Sequence, residues 1–380
     1  MSDGRRITVK GREIGGGAPI FLTAEIGCSH NGSAEKAKEL MRGAKDAGCD
    51  GADMFLWHPP EYYWCDEADI YKGGIFAELE RLSLRMEEWR ELFRYADAIG
   101  LVLYVTPLDF VSVEAARELG SPMVNINSDD VNNVLLLERV ARLGVPVTMH
   151  DINATLGEVE GAVGVLREGG CKDIIVLHST MESGEEAQLY ATANLRVMET
   201  YRSAFGGLGV EVGCVEHTTS DFLIYAVAAL GPALISKHLL MKHEEGTPDD
   251  SISVDLESLS KVVRNVRYVE MALGQGRNCL VTDEQGEMLL WDRSRRKVLV
   301  AARDLPAGHK VEAGDIVAKR PGNRGGLHPW LWRQLHGAKT AVAIRRDEVV
   351  TLDMFREYPA ADYKFPALEK RRFSGRRKGA

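Results

Sequence analysis

PIFLTAEIGCSHNGSAEKAKELMRGAKDAGCDGADMFLW (19–57) is the stretch whose reading decides the fold. It opens on a β-prone apolar run, PIFLTAEIG (19–27), and passes through SAEKAKELMRGAKDAG (33–48), where apolar residues recur at three- and four-residue spacing ahead of a glycine. It ends on a second apolar run, GADMFLW (51–57), so the whole reads as strand, helix, strand. Further runs follow at LVLYVT (101–106), PMVNIN (122–127), VPVTMH (145–150), DIIVLHS (173–179), VEVGCVEH (210–217) and PALISKH (232–238), making eight in all. Amphipathic stretches such as RMEEWRELFRYADAIG (85–100) lie between them. Eight such units within about 250 residues predict an α/β fold, a closed (β/α)8 TIM barrel. An open doubly wound sheet is the alternative, but no GxGxxG turn follows any run.

Beyond residue 245 the pattern changes. SVDLESLSKVVRNVRYVEMALGQG (253–276) reads as a closing helix and NCLVTDEQGEMLLWDRSRR (278–296) as a connector. The short runs VLVAARDL, IVAKR, KTAVAIR and EVVTL between 297 and 356 predict a small, mostly β domain. The expected division is barrel 1–277, linker 278–296, small domain 297–356 and basic tail 357–380.

With 45% hydrophobic and 27% charged residues the chain has the composition of a globular protein, and its net charge of −9 argues against a general nucleic-acid surface. No apolar run reaches the ~18–20 residues of a membrane span, and MSDGRRITVK lacks the apolar centre of a signal peptide. The expectation is a cytoplasmic protein without nucleic-acid or membrane partners. Cys28, Cys49, Cys65, Cys171, Cys214 and Cys279 are scattered without a CxxC pair, so neither a disulfide framework nor a cysteine zinc site is expected.

Polar residues gather at the C-terminal ends of the runs: Glu25, Thr106, Asn127, Ser128, His150, His178, Glu216, His217, Lys237 and His238. In a barrel those ends converge on the mouth where active sites form. Asp53 sits inside an apolar run, and an ionised carboxylate in a dry core costs several kcal/mol, roughly, unless it is paired, metal-bound or at the wet end of its strand. His217 and His238 end successive runs and suit a divalent metal, with Glu25, Asp53 and Glu216 as candidate third ligands; ordinary polar lining fits the same spacing. Glu25 could act as a general base or orient a substrate hydroxyl, and His30 with Asn31 lies in the HNG turn that follows, where Ser33 can cap the helix. Thr106 and Ser128 could hold an anion or a sugar, whereas Asp109 and Asp130 also suit turns and helix caps.

AEIGCSHNG (24–32), TPLDF (106–110), NATLGEVEGAVGVLREGG (153–170), EHTT (216–219), SKH (236–238) and VAARDLPAGHKVEAGDIVAKRPG (300–322) together resemble the bacterial sialic acid (N-acetylneuraminate) synthase family. Its members join a barrel to a small C-terminal SAF, or antifreeze-like, domain and condense phosphoenolpyruvate with an amino-sugar aldehyde, using a divalent metal. The resemblance implies that His217 and His238 hold that metal, with Mn, Mg and Zn not distinguished. It also implies a domain-swapped homodimer in which the SAF-like domain reaches the partner's barrel mouth and brings Arg320 near the substrate. The departures are as informative. Asp53-Met54-Phe55 stands where the family has Lys-Phe-Gln, Asn125 replaces a lysine, Asp130 a glutamate, and Val215 a serine. His150-Asp151-Ile152 replaces Ser-Thr-Gly, and Met181-Glu182-Ser183 replaces Asn-Tyr-Pro.

The expected function is therefore a metal-dependent enzyme of acidic-sugar or related carbohydrate biosynthesis, doing aldol-type carbon–carbon chemistry on a sugar-like carbonyl with its phosphate pocket rebuilt. Glu25 or Asp130 would move protons, Asp53 and His150 would line the altered pocket, and His30, Asn31, Thr106, Ser128, His178, Lys237 and Arg320 are the candidate substrate contacts. One alternative is an ordinary phosphoenolpyruvate-dependent nonulosonic acid synthase with a relocated phosphate site. The other is a non-catalytic sugar-binding or scaffold protein.

Overall fold

Strand order follows from the alternation of strand and helix along the chain. In the structure, a computed structural model, β1 (Ile7–Val9) and β2 (Arg12–Ile14) form an antiparallel hairpin. Eight parallel strands follow: β3 (Phe21–Gly27), β4 (Gly51–Leu56), β5 (Val102–Pro107), β6 (Val124–Ile126), β7 (Val147–His150), β8 (Ile174–Met181), β9 (Glu211–His217) and β10 (Leu234–His238). They close in sequence order, with β10 pairing back onto β3, into the expected barrel. The residues described are 5–62, 75–181, 190–219, 221–243, 248–274, 296–320 and 325–358.

Each strand is buried on both faces, which is why its sequence is a nearly continuous apolar run. One set of side chains, including Leu22, Ala24, Ala52, Met54, Leu103, Val105, Val124, Val176, Cys214 and Ile235, packs outward against the helices. The other set starts with an apolar floor of Phe21, Val102, Tyr104, Met123, Ile175, Leu177, Val215 and Leu234, onto which the hairpin adds Ile7, Val9 and Ile14. The hairpin thus closes the N-terminal end of the lumen, and the polar positions collect at the other end.

The helices start where the sequence supplies caps. Ser33 accepts from the Lys36 amide at the head of Ala34–Ala47, and Asp109 accepts from the Ser112 amide at the head of Phe110–Leu119. Asp109 also accepts from the His58 amide at 2.6 Å, fastening the loop after β4 to the loop after β5. The closing helix spans Leu256–Leu273, capped by Asp255 and ended at Gly274.

The chain divides into two compact units, Met1–Gly274 and Gln275–Ala380. In the second, β11 (Val298–Ala301) pairs with β12 (Ile316–Lys319) and β13 (Lys339–Thr340) with β14 (Phe355–Arg356) around Leu299, Leu305, Val311, Leu335, Ile344, Val350 and Phe355. Residues 278–295 of the expected linker and 359–380 of the expected tail lie outside the described residues, as do Cys65 and Cys279.

Gly213 marks how tightly the lumen is filled: a Cβ there would lie 2.5 Å from Leu177 Cδ2 and 2.6 Å from the Leu234 carbonyl oxygen. Gly213→Ala is expected to lose about 1–3 kcal/mol in urea unfolding. Gly164→Ala, with open space around its position in the helix Leu156–Glu168, is expected to gain about 0.5–1 kcal/mol.

Candidate active site at the barrel mouth

Above the apolar floor the inward positions become polar: Glu25 on β3, Asp53 on β4, Thr106 on β5, Asn125 on β6, Thr148 and His150 on β7, His217 on β9, and Ser236 and His238 on β10 are all buried. Two groups of contacts divide this ring. On one side Thr106 Oγ1 donates to Asp53 Oδ2 at 2.7 Å and accepts from Asn125 Nδ2 at 3.0 Å. The Asn125 amide also meets His150 Nε2 at 3.1 Å, and its Oδ1 accepts from Thr148 at 2.7 Å. Asn125 thus spends one amide hydrogen on Thr106 and the other on His150, which makes His150 Nε2 an acceptor and leaves its proton on Nδ1. Asp53 Oδ1 is buried without a partner.

On the other side stand the two imidazoles. His217 Nδ1 lies 3.0 Å from the Thr180 carbonyl oxygen, to which it must donate, so Nε2 carries the lone pair. The His238 ring is 4.8 Å from that of His217 between centroids, and neither of its buried nitrogens has a hydrogen-bond partner. Glu25 Oε1 lies 3.4 Å from His238 Nε2, and Glu25 Oε2 accepts from Ser236 at 3.0 Å. Burial holds all three imidazoles in the neutral form, with His150 pushed down to about 3, His217 to about 4 and His238 well below its ordinary value. Burial, reinforced by Asp53 and Asp249, raises the Glu25 carboxyl well above the usual range.

Asp249 is a member of this group that the sequence reading did not single out. Its Oδ2 lies 3.9 Å from His238 Nδ1 and 3.7 Å from Cys28 Sγ, and burial pushes its carboxyl up to about 6. Gly27, at φ 51, admits this approach: a Cβ there would lie 2.9 Å from Asp249 Oδ2. The only sequence signal was the acidic pair in TPDD (247–250), in the loop after β10.

Several expected contacts point elsewhere. Lys237, Glu216 and His178 occupy outward positions of their strands. Lys237 Nζ donates to Glu216 Oε2 at 2.6 Å, to the Glu216 carbonyl at 3.3 Å and to the Thr218 carbonyl, which uses its three protons. It is therefore a strand-to-strand tie and not a substrate cation, and Glu216 is not a third ligand beside the histidines. His178 has both nitrogens engaged, Nδ1 with Asp151 at 2.9 Å and Nε2 with the Ala193 carbonyl at 2.8 Å, leaving none for substrate. Asn31, at φ 53, holds the turn after β3 and accepts from Arg81. His30 is buried in that turn, with Nδ1 accepting from the Gly32 amide at 3.1 Å and Nε2 without a partner. Ser128 begins a single turn after β6, and Asp130 ends it, accepting from Asn133 at 2.8 Å. Arg320 is an exposed residue of the second unit. Met181-Glu182-Ser183 falls at the edge of a stretch outside the described residues.

Comparison with known proteins identifies the scaffold. Residues 41–278 match the NeuB family, and residues 296–356 match the SAF domain. The chain belongs to the NeuB family. The uncharacterized protein MJ1065 of Methanocaldococcus jannaschii is 33% identical over 318 residues, 83% of this chain and 89% of that protein. The N-acetylneuraminate-9-phosphate synthase of Mus musculus is 29% identical over 90% of this chain and 94% of its own length. The N-acetylneuraminic acid synthetase structure from Leptospira borgpetersenii superposes with a TM-score of 0.64 at 23% identity, over 74% of this chain and 94% of that one, and shows the same fold.

In this NeuB family member, among the described residues, no unpaired cation is buried at the mouth. Among the described residues no arginine is buried, and Lys237 is the one buried lysine. Nor, among the described residues, do three His, Cys, Asp or Glu side chains form a ready-made metal cage. The two imidazoles are the preorganised part.

Two expectations follow. Lys237→Met should lower stability by about 3 kcal/mol in urea unfolding, because Glu216 is left buried without its counter-ion; the double variant with Glu216→Leu should recover most of the loss. Asp53 behaves oppositely. Burial raises its carboxyl from 3.8 to about 7 against the hydrogen bonds that lower it. Below about pH 4 the folded and unfolded chains both hold the proton; between there and about pH 7 only the folded chain keeps it, so its contribution to stability is lost as pH rises. In metal-free protein, the stability of Asp53→Asn relative to the parent should therefore increase from pH 4 to pH 8 by on the order of 2 kcal/mol, measured by thermal or urea unfolding at both pH values.

Proposed function

We propose that this NeuB family member is a metal-dependent enzyme acting on the carbonyl of a sugar-like substrate, by aldol-type carbon–carbon chemistry, without phosphoenolpyruvate as the carbon donor. The observation that carries the metal reading is the fixed tautomer of His217. Its Nδ1 proton goes to the Thr180 carbonyl, the arrangement usual for metal-ligating histidines, and its free Nε2 shares the lumen with a His238 whose buried nitrogens lack partners. Two neutral imidazoles suit a first-row divalent ion, with the remaining positions left to water or substrate oxygens. Bound there, the metal supplies Lewis-acid polarisation of a carbonyl or hydroxyl. Glu25, held by Ser236 beside His238, is the residue that takes or returns the substrate proton. Its raised carboxyl pKa keeps a proton available for that exchange.

The donor reading rests on charge. A phosphate at the position of Asp53 and Asn125 would meet an acidic side chain and a neutral amide, and Lys237 is already spent on Glu216. Each charge-assisted hydrogen bond missing from such a site weakens binding by roughly 1.5–3 kcal/mol, so losing two costs orders of magnitude in affinity. A second reading, the phosphoenolpyruvate-dependent synthase, draws support from the 27% identity to the N,N'-diacetyllegionaminic acid synthase of Campylobacter jejuni over 87% of this chain.

The two are separated by incubating the protein with Mn2+, phosphoenolpyruvate and N-acetylmannosamine and following phosphate. No release above background is expected, and sustained turnover would establish the second reading. Titration with Mn2+ alone should show one ion per chain, weakened by on the order of 100-fold in His217→Ala or His238→Ala with unfolding curves that remain cooperative. Unchanged affinity in both variants would remove the metal from the mouth.

A further inference from the structure

We propose that Asp53 forms a subsite for a protonated primary amine, so that the substrate is an unphosphorylated amino sugar held through its ammonium group. This deepens the reading of a sugar-directed enzyme given above and rests on it.

The hydrogen bonds around Asp53 all run one way. Thr148 donates to Asn125 Oδ1, which turns the Asn125 amide nitrogen toward Thr106 and His150. Thr106, accepting from Asn125, can only donate its own proton onward to Asp53 Oδ2. The chain ends there and fixes the carboxylate by one oxygen. The other oxygen, on a residue 2% exposed at an inward position of β4, has no hydrogen-bond partner. A buried acceptor of this kind calls for a donor from a ligand.

Charge selects which donor. Glu25 is paired with Asp53 in the strand register, so two carboxyl groups adjoin. The imidazole joined to this chain of hydrogen bonds, His150, is neutral and uses Nε2 as an acceptor, so it supplies no positive charge. An ammonium brings three donors and the missing counter-charge to this corner, and would restore Asp53 to the ionised form that its surroundings resist. An acetamido group has one N–H and no charge, a hydroxyl has one O–H, and a phosphate would be repelled.

The full-length protein, with and without saturating Mn2+, is titrated calorimetrically at pH 7 with glucosamine and mannosamine, their N-acetyl forms, the parent hexoses and glucosamine 6-phosphate. The expected result is that at least one free amine binds at least about tenfold more tightly than its N-acetyl form and parent hexose. In Asp53→Asn that preference should fall to within about twofold while the neutral sugars bind as before. Thr106→Val, which leaves the carboxylate in place and removes the donor that orients it, should give an intermediate preference and serves if Asp53→Asn does not fold. Equal binding of amine and neutral sugar, a preference for the 6-phosphate, a preference that survives Asp53→Asn, or no binding by any amine would overturn the proposal. So would a second Mn2+ per chain that Asp53→Asn abolishes, since the carboxylate would then be a metal ligand. Mn2+ binding at His217 and His238 without amine selectivity rejects this subsite alone; amine selectivity without Mn2+ binding rejects the metal reading and leaves the subsite standing.

Discussion

A strand in a closed barrel shows only every second residue to the lumen, and everything at this mouth depends on that constraint. Glu216 and His217 are neighbours in the chain, as are Lys237 and His238, yet each pair is divided between two environments. The histidines enter the lumen; their neighbours turn outward and join β9 to β10 through a buried ion pair. The tie and the site are therefore built from the same two dipeptides. The ion pair holds the strand ends in register, and the register sets the 4.8 Å between the imidazoles.

The same constraint sorts the cost of burying charge. Outside the lumen Lys237 and Glu216 satisfy each other, with the Thr218 hydroxyl and the Thr218 carbonyl completing their hydrogen bonds. Inside, Glu25, Asp53 and Asp249 have hydroxyl, thiol or imidazole neighbours and, among the described residues, no cation in contact. Burying three carboxyl groups and three neutral imidazoles in one small volume costs stability, and such a cost is characteristic of sites that bind charged ligands.

The barrel was legible in the sequence because its strands are short apolar runs separated by helices with their own periodicity and caps; Ser33 and Asp109 cap the helices that they precede. The inward face was not legible from the runs themselves. Parallel barrel strands are buried on both sides, so DIIVLHS and PALISKH are apolar through their centres, with polar residues consecutive at the C-terminal end, and carry no alternation that tells lumen from helix layer. Lys237 does lie next to the end of β10, whereas β8 runs on past His178 to Met181, and the direction of each side chain depends on where its strand enters the sheet. Asp249 escaped notice for a different reason: it reaches Cys28 across 221 residues of sequence, and no local pattern encodes such a meeting.

Asp53 unites these strands of argument. The charge change at its position could be seen in the sequence, but its consequence could not, because an aspartate on the outward face would have needed a cation from a helix. On the inward face it has a fixed oxygen and an open one, beside a Thr106 hydroxyl, an Asn125 amide and a Thr148 hydroxyl that are already committed to one another. A carboxylate in such a setting is tolerated at a cost that a phosphate would increase and a positively charged group would remove. On this NeuB-family scaffold the mouth therefore joins a pair of neutral imidazoles to carboxyl groups without a contacting cation among the described residues, and that arrangement favours positively charged groups over anions.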